Sequence, residues 1–204
     1  MIGLRRLFRD ASGASAAEFA LVLPLLILLL FGTIDVGRYA WSLNQAEKAT
    51  QTGARWAVAT DIIASGIYSY SYATSGGIPQ GTPVPQASFP TVTCQSSGGA
   101  ASCTCASSCA FGTAANNTAF TNLTTRMAQI YPGLTASNIV VTYSWSGLGF
   151  SGDPNGPDVA PLTTVSLRNV NFAPFSSQIF GGQVALPSFA YTLPMEDGSG
   201  TSSN

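Results

Sequence analysis

The stretch that decides the fold is "GASAAEFALVLPLLILLLFG", Gly13–Gly32, an apolar run interrupted near its start by one carboxylate, Glu18. From Ala14 to Ile34 there are 21 residues, and as a helix they extend roughly 31 Å, the thickness of a bilayer's hydrocarbon core. Twelve of them are Leu, Ile, Val or Phe. Together these favour insertion by about 4 to 7 kcal/mol, against about 2.5 to 3.5 kcal/mol opposing it for an acid at mid-membrane. A span therefore tolerates Glu18.

Arg5, Arg6 and Arg9 precede the run, and no basic residue follows it until Arg38. By the positive-inside rule this keeps the N-terminus cytoplasmic and exports the remainder. A removable secretory signal shares the basic start and the apolar stretch. Beyond the run, however, "TIDVGRYAWSLNQ" puts Arg38 and Tyr39 where a small-residue cleavage site belongs, and the helical spacing continues. A retained anchor is the favoured reading. Glu18 has two readings: an acid that snorkels to the cytoplasmic interface, or an intramembrane functional group that needs a partner. Were the chain cut after Gly13, the new α-amino group of Ala14 would be a cation at membrane depth. A carboxylate about one helical turn further on, in a neighbouring copy or related subunit, could neutralise it.

Gly13, Ala14, Ser15, Ala16, Ala17, Glu18 and Phe19 resemble the prepilin-type processing site, in which a peptidase cuts after the Gly. More closely, "SGASAAEFALVLPLLILLLFGTIDVGR" followed by "NQAEKATQTGARWAVA" resembles the TadE-like proteins of tight-adherence (Flp) pilus systems, over roughly residues 11 to 60. The resemblance implies a minor pseudopilin in pilus assembly, with an inner-membrane start and a periplasmic domain. It implies a prepilin peptidase and other pilins as partners. Gly13 and Ala14 then form the processing site, and Glu18 and Phe19 the subunit-pairing positions.

After Asp35 the helical pattern persists, with Val36, Ala40, Leu43, Ala46, Thr50, Gly53 and Ala57 tracing one stripe and Asp35 with Arg38 forming an i, i+3 pair. Pro24 lies inside the span, where it either bends the helix harmlessly or helps it pack. The expected architecture is α+β and pilin-like: a long N-terminal transmembrane helix continuing into a stem, packed on a small antiparallel sheet with a short second helix. Its expected parts are a leader (1–13), a transmembrane helix (14–34), a helical stem (35–60), a loop-rich Cys-containing segment (61–117), a globular α+β part (118–194) and a flexible tail (195–204).

Four cysteines, Cys94, Cys103, Cys105 and Cys109, sit in a Ser/Gly/Pro-rich stretch that can bury little apolar surface. Their spacing lacks paired C-x2-C knuckles and the chain has no His, so two disulfides are favoured over a metal. Three pairings are open, Cys103 with Cys105 being the least favoured. The spacing of Phe120, Leu123, Met127, Ile130 and Tyr131 predicts a helix over 118–131, stopped by Pro132-Gly133. Strands are expected in "NIVVTYSW", "LTTVSLRNVNF" and "SFAYTL", the second with a bulge around Arg168 and Asn169. In "GFSGDPNGPD", Asp153, Asn155 and Asp158 miss the order of a calcium loop and read as turn chemistry.

Eight basic against nine acidic residues leave no electrostatic footprint for nucleic acid. Without His, the common Ser/His/Asp and Cys/His nucleophile arrangements are absent, and no phosphate-binding glycine loop follows a strand. The expectation is a non-enzyme without cofactor. Two function classes remain: a pilus assembly component, and an uncleaved membrane-anchored periplasmic scaffold or binding protein of a secretion system.

Overall fold

The computed structural model describes residues 13–200. The expected leader, apart from Gly13, and the last four residues of the expected tail, 201–204, lie outside the described residues. The chain folds as α+β. Helix α1 runs without a break from Ala14 to Ala59, with Pro24 inside it. It is followed by α2 (Ser65–Ser69), β1 (Val92–Ser97), β2 (Ala100–Cys105), α3 (Asn117–Ala128), β3 (Ile139–Ser144), β4 (Leu162–Leu167), β5 (Asn171–Phe172), α4 (Ser177–Phe180), β6 (Val184–Ala185) and β7 (Ala190–Pro194). Five strands form an antiparallel sheet in the order β2-β1-β3-β4-β7, and β5 pairs with β6 in a separate two-stranded sheet. The fold divides into two compact units. Among the described residues, one joins Asn171–Val184 to residues 13–41; the other comprises Ser42–Val170 and residues 185–200.

The core of the second unit follows the two periodicities of the sequence. On the sheet, Ile139, Val141 and Tyr143 of β3 and Thr163, Val165 and Leu167 of β4 are buried alternately, as a sheet with one inward face requires. On α1, Ala46, Ala49, Thr50, Ala54, Ala57 and Val58 are buried at helical spacing. Their small side chains let α3 come close. A Cβ on Gly53 would stand 2.6 Å from Met127 Sδ, and the Arg126 guanidinium lies 5.7 Å from the Trp56 ring centroid. Asn116 caps α3 by accepting from the Ala119 N–H at 3.1 Å, and Phe120, Leu123 and Met127 form its buried face.

Several expectations change. The stripe expected to begin at Val36 is buried only from the later turns: Val36 is 70% exposed, and Ala40 is exposed as well. The segment read as loops contains the β1–β2 hairpin. Its turn is Gly98-Gly99, both at positive φ (61° and 93°), the two-residue geometry that matches the twist of paired strands. Helix α3 ends at Ala128, three residues short of Tyr131, so Pro132 follows the stop instead of causing it. No bulge joins the halves of "LTTVSLRNVNF". β4 ends at Leu167, and Asn169 at φ 52° turns the chain away so that Asn171 and Phe172 pair with β6. The slip in alternation marks a change of sheet. Residues 195–200, expected as a frayed tail, are tied down: Glu196 and Asp197 N–H donate to Val58 O, and Gly198 O accepts from Ile62 N–H. Met195 is buried. The bonds to Val58 O satisfy a carbonyl group that the helix end leaves open.

Candidate functional site: the N-terminal helix and its exit from the apolar run

Gly13 immediately precedes α1, and Ala14 is its first residue. Glu18 stands within the next turn with its side chain exposed, and no ion pair involves it among the described residues. Phe19 is 60% exposed, and Leu21 to Leu30 continue as an exposed apolar surface on every side of the helix. A helix apolar all round is stable only inside another apolar medium, whether protein or lipid. The most apolar 18-residue window of α1 has a mean hydropathy of 2.5, and the helix is long and apolar enough to cross a membrane.

Where the apolar run ends, a second arrangement begins. Asp35 Oδ1 accepts the Phe175 backbone N–H at 2.6 Å and Oδ2 accepts that of Ser176 at 3.0 Å. Arg38 lies 3.7 Å from the same carboxylate, so the i, i+3 pair read from the sequence is present. Its guanidinium sits 4.4 Å from the Phe175 ring centroid and 5.2 Å from that of Phe172, while Tyr39 meets Phe172 edge-on at 5.7 Å. Desolvation of Asp35 opposes its charge. The bonds from Ser176 and Phe175 and the nearby Arg38 outweigh it and hold the carboxyl below the usual carboxylate value. Sequence reasoning found Asp35 and Arg38 but not this partner; the signal available was an uncharged, Phe-rich stretch at 171–184.

The cysteines lie in two disulfide pairs, Cys94 with Cys103 and Cys105 with Cys109. Cys94 and Cys103 face each other directly across β1 and β2, with Cα atoms 4.0 Å apart. Asp158 is buried and serves the backbone: Oδ2 accepts the Tyr72 N–H at 2.6 Å and Oδ1 the Asp153 N–H at 3.1 Å, while Asp153 accepts from Asn155. Among the described residues, no three His, Cys, Asp or Glu side chains gather in a group able to hold a metal ion.

The described chain thus begins with a continuous helix that starts beside Gly13 and whose one ionisable residue before Asp35 is Glu18. Residues 13–55 match the model of the TadE-like protein family. The N-terminal segment is TadE-like. TadE-like proteins are components associated with tight-adherence pili. The match covers the apolar run and most of the buried stem but none of the sheet. No curated protein and no solved structure matches the chain. The features beyond residue 55, from the hairpin disulfide to the segment that Asp35 holds, thus stand on the geometry alone.

Proposed function

We propose that this TadE-like chain is a minor pseudopilin that helps assemble a tight-adherence (Flp-type) pilus used in surface attachment. Prepilin peptidase cuts it between Gly13 and Ala14. α1 then holds it in the inner membrane, with the sheet domain in the periplasm, until it joins other pilins. The observation that carries this reading is Glu18, exposed one turn into a helix that begins at the residue after Gly13. A lone carboxylate in a lipid-embedded helix is costly and needs a compensating charge. The α-amino group of a cleaved neighbouring subunit supplies one at the right depth, and at about 4 Å such a pair is worth about 4 kcal/mol in surroundings of intermediate polarity.

N-terminal sequencing of protein extracted from membranes tests the cleavage and should begin at Ala14. Intact Met1 in cells with active peptidase would reject it and leave an uncleaved periplasmic scaffold as the better reading. Glu18→Val tests the pairing. The variant should insert more favourably by about 3 kcal/mol yet lose assembly, because insertion and pairing make opposite demands on this position. Normal piliation in Glu18→Val cells would remove the pairing.

A further inference from the structure

We propose that residues 171–184 are a membrane-contacting foot, a second lipid-binding element that lies in the headgroup layer of the bilayer crossed by α1. The proposal rests on reading α1 as a membrane span. Its first support is position. Asp35 is the residue after the end of the apolar run, and its carboxylate holds the Phe175 and Ser176 backbone at 2.6 and 3.0 Å. With a rise of 1.5 Å per residue, that places the Phe175 and Ser176 backbone within about 5 Å of the level at which the helix leaves hydrocarbon.

The second support is composition. "NFAPFSSQIFGGQV", Asn171–Val184, contains no Asp, Glu, Lys or Arg, and includes Phe172, Phe175, Ile179, Phe180 and Val184. Phe172 is buried beneath Tyr39 and Arg38, but Phe175 is 49% and Val184 46% exposed. Uncharged segments with exposed apolar side chains are unfavourable in water and suit the boundary between headgroups and acyl chains. The third support is charge. Arg38 presents its guanidinium over the Phe172 and Phe175 rings with its side chain 44% exposed, so a cation stands beside the apolar contact, where lipid phosphates lie. A guanidinium that lies over aromatic rings and beside the Asp35 carboxylate, yet stays partly exposed, suits a layer where apolar and polar groups meet.

Phe175→Trp in the full-length chain supplies the probe. The protein is reconstituted in vesicles of phosphatidylethanolamine and phosphatidylglycerol, with or without lipids brominated near the headgroup end of their acyl chains, and washed with carbonate. Relative to the unsubstituted protein, the added tryptophan emission should fall roughly twofold on bromination, as expected for a ring seated at the headgroup boundary. Val184→Trp gives the same readout from the other end of the foot should the first variant fold poorly. Emission indifferent to bromine and quenched by aqueous acrylamide, in protein that stays with the washed vesicles, would overturn the foot and leave the span intact; that outcome would point to a protein neighbour for Phe175. Release of the protein by carbonate would overturn the span and the foot together.

Discussion

Replacing Asp158 tests how the loops of the sheet domain are held. Its two carboxylate oxygens each take one backbone N–H, Tyr72 at 2.6 Å and Asp153 at 3.1 Å, and the residue is 4% exposed. In Asp158→Ala both N–H groups lose their acceptor where water has little access, at about 1 to 3 kcal/mol each. Part of this is returned because a carboxylate no longer has to be desolvated, so the net loss is about 2 to 4 kcal/mol. For a chain of this size that corresponds to a fall in Tm of about 5 to 15 °C. Asp158→Asn keeps one acceptor oxygen but sets an amide donor against the second N–H, so at least half of the loss should remain. Thermal unfolding of the full chain in detergent, followed by circular dichroism, measures both. Gly149 supplies a check on location: a Cβ there would come 2.6 Å from Asp158 O, so Gly149→Ala should also disturb this loop. Unchanged Tm in Asp158→Ala would refute the clamp. Unchanged Tm in Asp158→Asn would refute the assignment of one N–H to each oxygen.

Reduction should lower stability through the unfolded state: the loops closed by Cys94–Cys103 and Cys105–Cys109 are short, worth about 3 and about 2 kcal/mol by chain entropy. Thermal scans with and without a phosphine reductant check this, and Cys94→Ala/Cys103→Ala should reproduce the larger part. Asp35 predicts a pH dependence. Because its folded pKa is lowered, its stabilisation of the 171–184 segment is complete above the ordinary carboxylate value, about 4, and lost as pH falls through the lower folded value. Amide exchange at Phe175 and Ser176, corrected for intrinsic rates, should accelerate in that acid window, and Asp35→Asn should abolish the transition. Two glycines should respond in opposite directions to the same change. A Cβ on Gly66 would collide with the Phe111 carbonyl oxygen, so Gly66→Ala should cost about 1 to 3 kcal/mol. Gly37 lies in α1 with nothing within 4 Å of that position, and Gly37→Ala should stabilise the helix by about 0.5 to 1 kcal/mol. Denaturant or thermal titrations in detergent separate the two.

What could be read in advance was carried by local pattern. α1 was legible because a continuous apolar run marks its first half and a helical repeat its second, and β3, β4 and β7 because "IVVTYS", "LTTVSL" and "AYTLP" carry β-branched or aromatic residues between turn signals. The β1–β2 hairpin was missed although its Gly-Gly turn was in view, because Thr, Ser, Gln and Cys strands lack the apolar alternation that usually announces a sheet. Val92 and Cys94 are its buried residues on β1, and one of them is half of a disulfide.

By itself the sequence determined the long apolar helix, the carboxylate within it and the strand-forming segments, since each depends on residues a few positions apart. Only the tertiary structure decided which cysteines pair, that Asn169 sends the chain to a second sheet, that residues 195–200 close the end of α1, and that Asp35 holds a backbone 140 residues away. The physical reason is that hydrogen-bond acceptors and thiols carry no mark of their partner in the sequence. The partner is chosen by whichever packing brings donor and acceptor together out of water.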